Sequence, residues 1–494
     1  MKPLTVVTPY SPRPFLEKIV LSLTKSALVE YIVVVSQEPV HFKIDGCRVL
    51  LGGPIYSKET LSQVIDGTRT KYLLLLSEAQ QISTEPKALE RILEKADSTK
   101  TGLVYSDFYD ENERGKTLHP LNDYQPGSVR DNFDFGAMIL FSVSAIQKAL
   151  KKYGDLPAVK FAGLYDLRLK ISIDHSITHL KEPLYSLIKT NEPSGSEKLF
   201  AYLDPHNRAA QKEMEAVFTD CLKKIGAYLP PNFKEVEQAA TSFPVETSVV
   251  IPVRNRRETI AEAVKSALSQ ETDFPFNVIV VDNHSTDGTT AILSNLAKEY
   301  SNLKHIVPKR TDLGIGGCWN EALYAQDCGR YAVQLDSDDL YSSGCTLQKM
   351  VDMLHQGKYA MVIGSYTLVD FRLEEIPPGL IDHPEWTDDN GHNNALRING
   401  LGAPRAFNAS LMRNIGFLNV SYGEDYAAAL RICREYRIGR IYKNLYLCRR
   451  WSGNSDAGLT IEEANRNDAF KDMIRTEEIA ARQKMNQSLI TQIK

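Results

Sequence analysis

Short runs of Val, Ile and Leu, bounded by turn residues, alternate along the chain with longer segments whose apolar positions recur at helical spacing. Runs of this kind predict buried parallel strands joined by crossover helices. In the first half, strands are expected at TVVTP (5–9), YIVVVS (31–36) and YLLLLS (72–77); in the second, at SVVIPV (248–253), NVIVVD (277–282) and YAVQLD (331–336). The two series correspond beyond these strands. GLVYSDFYDENERG (102–115) sits where MVIGSYTLVD (361–370) falls later, LYDLRLKIS (164–172) matches YGEDYAAALRI (422–432), and EPLYSLIKTNEPSG (182–195) parallels NLYLCRRWSGNSDAG (444–458). Matches in that order predict an internal repeat. The expected division is a first α/β domain over 1–196, a polar helix and proline-bounded linker over 197–244, and a second α/β domain over 245–494, with the boundary near residue 240.

The length agrees, since 494 residues exceed what one hydrophobic core usually supports. Hydrophobic and charged shares of 43% and 24% exclude widespread disorder. Formal charge is 58 − 62 = −4 with both signs mixed along the chain, which gives no electrostatic footprint for nucleic acid. No run approaches the roughly 20 apolar residues of a membrane span, and the opening MKPLTVVTPYSPRPF breaks at Pro9 and Pro12 before any signal-peptide core. A cytoplasmic chain without a transmembrane segment is expected, compatible with peripheral membrane association. Seven cysteines, Cys47, Cys221, Cys318, Cys328, Cys345, Cys433 and Cys448, are odd in number and form no Cys-x-x-Cys pair. Reduced, mostly buried thiols are expected rather than a disulfide framework or zinc site.

The candidate chemistry lies in the second half. A strand ending in Asp282 runs into NHSTDGT (283–289), whose residues favour a tight turn and a helix start. The carboxyl end of such a strand is where α/β sheets bind ligands. Asp282 is thus placed to hydrogen-bond a base or ribose, or, in the plainer reading, to cap the helix. QLDSDDLY (334–341) then delivers Asp336, Asp338 and Asp339 within four positions. Carboxylates this close repel one another unless positive charge sits among them. They suit Mg2+ or Mn2+, which take one or two carboxylates together with substrate phosphates; the alternative, an acidic surface turn, fits poorly with attachment to a buried strand. Finally, YGEDYAAALRICREY (422–436) opens an amphipathic helix with Glu424 and Asp425 at its positive end, where carboxylates usually serve only as caps.

Taken together, these residues resemble the family-two inverting glycosyltransferases of the GT-A fold. Those enzymes show P-x-Y-N on a strand, then V-D-D-G-S-T-D-G-T, then the DXD-type L-D-x-D-D, then an E-D pair opening a helix. This chain reads IPVRN (251–255), VDNHSTDGT (281–289), LDSDDL (335–340) and GEDYAAALR (423–431). The resemblance implies two tandem GT-A (nucleotide-diphospho-sugar transferase, Rossmann-like) domains with mainly parallel central sheets. It implies metal-dependent, inverting transfer of a sugar from a nucleotide-diphosphate donor, UDP-sugar favoured, to a glycan or small hydroxyl acceptor in polysaccharide or cell-envelope glycan synthesis. Pro252, Val253, Arg254, Asn255, Asp282, Asn283, Asn320, Asp336 and Ser337 would hold the donor, and Asp336 and Asp338 the Mn2+ or Mg2+ with the diphosphate. Asp425, with Glu424 beside it, would deprotonate the acceptor. Inversion needs a base opposite the leaving group, and the departing diphosphate needs its charge neutralised. The segment 376–407 takes the family's acceptor-facing place, with Trp386 and Arg405 as candidate acceptor contacts; Trp386 would equally serve as a loop anchor.

Several positions depart from the family pattern. Asn283 replaces the usual second Asp, and CWNEAL (318–323) puts Trp319 where the family carries an Arg facing the diphosphate; Arg254 and Arg256 are candidate cations in its place, or, in the plainer reading, ordinary solvated arginines. Trp451 stands about where a metal-binding His is usual, so that water, His383, His392, Asn454 or Asp456 would complete the shell. The first half keeps only Glu78 of the acidic cluster, in SEAQ (77–80), lacks the nucleotide Asp in SQEP (36–39), and retains Asp166 as an expected helix cap. A degenerate, non-catalytic copy is expected there. The alternatives are a catalytically inactive nucleotide-sugar or glycan-binding protein of the same fold, and a nucleotidyltransferase. The latter calls for a glycine-rich phosphate loop where this chain has VRNRRET (253–259).

Overall fold

The computed structural model describes residues 2–11, 13–40, 46–77, 82–188, 208–237, 242–454 and 457–493. They divide into two compact units, Met1–Tyr228 with Leu459–Lys494, and Leu229–Gly458.

In the second unit the strands Thr247–Val253, Phe276–Asp282 and Tyr331–Gln334 are buried at nearly every position, as expected of strands covered on both faces. The sheet runs Leu303–Ile306, Phe276–Asp282, Thr247–Val253, Tyr331–Gln334, Arg405–Asn408, Met361–Val369, Ile438–Arg449 and Leu340–Tyr341, with Glu375–Ile381 paired outside Met361–Val369. The first four are mutually parallel, and Arg405–Asn408 is antiparallel to both its neighbours. That reversal positions the site. Carboxyl ends of the parallel strands gather at one edge, and with Val333 opposite Ala406 the inverted strand begins at that same edge, with Arg405 beside the acidic turn.

The first unit repeats this succession and polarity. Its sheet runs Arg48–Leu51, Val29–Ser36, Leu4–Pro9, Tyr72–Leu76, Met138–Ser142, Leu103–Ser106 and Ile177–Leu180, again with one strand, Met138–Ser142, antiparallel to both neighbours. A smaller sheet joins Ile82–Thr84, Tyr185–Ile188, Phe108–Asn112 and Gly115–His119. Both units are thus α/β, with mixed sheets, and in the large sheet of each most strands run one way.

The C-terminal helix Ile461–Ile493 departs from the expected division, because it belongs to the first unit and not to the second. Gly127 N donates to Thr476 Oγ1 (2.8 Å) and Ser128 Oγ to Asp472 (2.8 Å), and Arg130 pairs with Asp468 and Asp472 at 3.1 and 3.3 Å. Charged side chains at helical spacing gave no apolar stripe to read, since several of the buried positions are ion pairs such as Arg475–Asp472. The boundary falls at Tyr228, earlier than expected. Helix Arg208–Lys224 buries Val217, Phe218, Cys221 and Leu222 in the first unit, whereas Lys234 N already donates to Glu435 O (2.8 Å) in the second. Residues 197–207 of the expected polar helix, and Glu78, lie outside the described residues. The seven cysteines, all among the described residues, form no disulfide. Among the described residues, no helix is long and apolar enough to cross a membrane.

Candidate active site

Strand Tyr331–Gln334 is buried throughout, so the turn that follows is anchored to the sheet. Asp336 N donates to Tyr446 Oη (3.0 Å), and Gln334 Nε2 donates to both oxygens of the Asp336 carboxylate (3.0 Å each). Asp339 is 4% exposed and accepts from Arg449 N (2.7 Å), tying the turn to strand Ile438–Arg449. Asp338 Oδ2 accepts from Trp451 Nε1 (3.0 Å) and Asn454 Nδ2 (3.2 Å). Burial pushes the Asp336 carboxyl up against the pull of Gln334 and Arg405; burial and then Asp336 and Asp338 push Asp339 well above the usual range. The turn is short of positive charge.

Arg405 links this turn to the helix Glu424–Cys433. Its guanidinium lies 2.6 Å from Asp425 Oδ2, its Nε donates to Gly402 O (2.8 Å), and it acts electrostatically on both Asp336 and Glu424. Glu424 is 8% exposed, and among the described residues its Oε2 has no hydrogen-bond partner. Burial, then the neighbouring Asp425, pushes its carboxyl up to about 8. Helix Ile315–Tyr324 packs beside it: a Cβ on Gly316 would stand 1.9 Å from Leu418 O and 3.0 Å from Glu424 Cβ, so only glycine fits.

The loop after Thr247–Val253 completes the arrangement. Asn255, at φ 55°, donates its backbone N–H to Ser285 Oγ (2.9 Å) and accepts from Thr286 N (2.8 Å), and Thr259 Oγ1 donates to Ser337 O (3.0 Å). Arg256 Nε stands 3.7 Å from Asp338 Oδ2. Motifs distant in the chain therefore meet: the first loop, the acidic turn with Ser337, Arg405, and the Glu424–Asp425 pair. Residues 248–414 match the family model for glycosyl transferase family 2.

The second unit carries a family 2 glycosyltransferase domain. The matched segment holds the first three motifs, and Glu424 and Asp425 follow it. Similar proteins include the putative glycosyltransferase EpsE of Bacillus subtilis, 32% identical over 25% of this chain and 44% of that protein. The putative teichuronic acid biosynthesis glycosyltransferase TuaG of Bacillus subtilis is 32% identical over 26% and 50%. The chain spans at most half the length of these curated relatives. Among solved structures, S. aureus TarS residues 1–349 in complex with UDP-GlcNAc is 20% identical over 47% of this chain and 71% of that one, at a TM-score of 0.37.

Within the glycosyltransferase domain, several expected contacts prove to be internal. Asp282 is fully buried: its carboxylate accepts from Ser285 N (3.0 Å) and Thr290 Oγ1, with His305 Nε2 at 3.5 Å. Burial raises its pKa, but His305, Ser285 and Thr290 together hold it well below the usual carboxylate range. It organises its own turn rather than facing a ligand, and it is not the helix cap of the plainer reading, because Gly288 stands at the N-cap of helix Thr289–Glu299 with no side-chain cap bond. Asn320 uses both ends of its amide on the backbone of Phe417 (2.9 Å each), which leaves it unavailable to a donor. Trp386 is 7% exposed and packs against Gly391, so it is a loop anchor and not an acceptor platform. Trp319 points into the core against Phe407 and Phe417. Asn283 donates to Leu313 O (2.8 Å), Val253 O accepts from Asn283 N (2.8 Å), Pro252 is half-buried, and Arg254 is exposed.

Neither histidine proposed for the metal shell serves there. His392 is buried and engages Leu229 O (2.8 Å), and His383 is buried against Glu385 (2.8 Å). Asn454 does reach the site, though as a donor to Asp338; Asp456 lies outside the described residues. Among the described residues, no three His, Cys, Asp or Glu side chains form a ready-made metal cage. Mn2+ or Mg2+ nonetheless fits the donor chemistry. The turn is oxygen-rich and short of positive charge, and such ions fill their shells with phosphates and water. Sequence reasoning missed the roles of Gln334, Tyr446 and Trp451; the RRW run (449–451) at the family's His position was the available signal.

Proposed function

We propose that this protein is a metal-dependent, inverting glycosyltransferase that moves a sugar from a nucleotide-diphosphate donor, UDP-sugar favoured, to a hydroxyl of a glycan or small acceptor in polysaccharide or cell-envelope glycan synthesis. The observation that carries this reading is Arg405, which stands between the acidic turn and Asp425 and so ties two carboxylate sets from distant motifs into one site.

In this reading the exposed Arg254 and Asn255 of the first loop line the nucleotide side, with Asp282 and Asn283 holding the adjoining turn in shape. Asp336 and Asp338 would hold Mn2+ or Mg2+, which when bound neutralises charge on the departing diphosphate. Asp425 is the base: it is the more exposed member of the helix pair, and its position at the helix N-terminus favours the carboxylate form. It takes the proton from the acceptor hydroxyl as the oxygen attacks the anomeric carbon from the face opposite the leaving group. Arg405 orients Asp425. Glu424, buried and protonated at neutral pH, adds no second negative charge there.

The first unit we propose to be a non-catalytic copy. Its shared strand order supports the relationship. The place equivalent to the helix Glu424–Cys433 is the helix Gly163–Asp174, where Asp166 is not a side-chain cap but a buried partner of Lys170 (2.7 Å). The Glu213 carboxylate there accepts from the backbone N–H groups of Lys160, Phe161 and Ala162. A protein carboxylate thus occupies the backbone N–H groups at this helix N-terminus that would otherwise attract an anion.

Thermal-shift screening of nucleotide sugars tests the function. A UDP- or GDP-sugar is expected to raise the melting temperature, and more so with Mn2+. No shift with any nucleotide sugar would contradict the reading and favour a glycan-binding protein.

A further inference from the structure

With Trp319 turned into the core, helix Ile315–Tyr324 offers the diphosphate no cation, and the charge must come from elsewhere. Arg405 is committed to Asp425 and to Gly402 O. Arg256 is placed differently. Its Nε lies 3.7 Å from Asp338 Oδ2, beyond hydrogen-bond length, and that oxygen already accepts from Trp451 and Asn454. The Nε–H is shielded from solvent and, among the described residues, finds no acceptor. A shielded N–H without an acceptor is unfavourable, and its presence points to an acceptor supplied from outside the chain.

The loop holds the guanidinium there. Arg256 N donates to Thr289 Oγ1 (2.8 Å) and its Nη1 to Asn255 O (3.1 Å), while Thr259 fastens the loop to the acidic turn. The side chain is 23% exposed, so part of the guanidinium reaches solvent while its inner nitrogen stays dry. A planar, permanently charged donor beside the carboxylate that expects a metal-bound diphosphate is matched to phosphate oxygens.

We propose that Arg256 binds the donor diphosphate directly, taking the place of the cation that helix Ile315–Tyr324 lacks. This rests on the glycosyltransferase reading above and names the residue that recognises its leaving group. The contact is independent of the divalent cation.

The test measures dissociation constants by calorimetry for UDP, with GDP in a parallel series, and for the corresponding nucleoside, each in EDTA and in Mn2+. Arg256→Gln is expected to weaken nucleoside diphosphate binding about tenfold in both conditions and to leave nucleoside binding unchanged, with Arg256→Lys in between. Arg257→Gln, the same charge change on the exposed neighbour, is expected to have no effect. If Arg256 acts only through Asp338 and the metal, the affinities of the wild type and Arg256→Gln will coincide in EDTA, which overturns the proposal. Equal losses for nucleoside and diphosphate, or an equal loss in Arg257→Gln, would also overturn it. Failure of the wild type to bind either diphosphate in both conditions would instead bring down the glycosyltransferase reading, and this inference with it.

Discussion

Glu424 shows how a single side chain reports on the site. In the unfolded chain its carboxyl titrates near 4.5; in the folded chain, burial and Asp425 move it to about 8. The folded state therefore keeps a proton that the unfolded state releases, and stability from this group falls as pH rises through that window. Glu424→Gln is expected to melt close to the wild type at pH 5 and above it at pH 8.5, as calorimetric scans across pH would reveal. An equal offset at both pH values would show that Glu424 is not buried as a neutral acid. At this scale the order of acidic residues was legible in the sequence, because each motif is local. The fates of Asp282, Asn320 and Trp386 were not. Whether an Asp faces a ligand or its own turn is decided by neighbours such as His305, which stands on a separate strand.

Among the elements, the inverted strand Arg405–Asn408 and helix Ile315–Tyr324 set the shape of the site. The helix can approach Leu418 and Glu424 only because Gly316 has no side chain. Gly316→Ala forces that contact apart and is expected to cost about 1–3 kcal/mol by urea denaturation. Unchanged stability would mean that the helix does not sit this close. The buried parallel strands were readable from their apolar runs, and helix Glu424–Cys433 from its opening carboxylates. The direction of Arg405–Asn408 was not, since a four-residue strand in a loop-like segment carries no sign of its polarity. That direction is what brings Arg405 to the acidic turn.

Over the whole molecule, the sequence showed two α/β units but misassigned the helix Ile461–Ile493, whose charged residues read as solvated. Asp472 is fully buried, paired with Arg475 (2.7 Å) and Arg130 (3.3 Å) and hydrogen-bonded by Ser128. Asp472→Ala removes a buried carboxylate shared by Arg475 and Arg130 and is expected to destabilise the first unit by about 3–5 kcal/mol, visible as a lowered melting transition with nucleotide binding by the second unit retained. An unchanged melting transition would mean that Asp472 does not hold these arginines in the folded unit.

Carboxylates from distant motifs are proposed to divide the labour of one transfer reaction. This division is tested most directly by measuring donor affinity and Mn2+-dependent turnover together in the wild type, Asp338→Ala and Asp425→Asn. Asp338→Ala is expected to lose both, while Asp425→Asn is expected to keep donor affinity within about threefold and to lose turnover by about 100-fold or more. Wild-type turnover in Asp425→Asn, or undiminished donor affinity in Asp338→Ala, would contradict it.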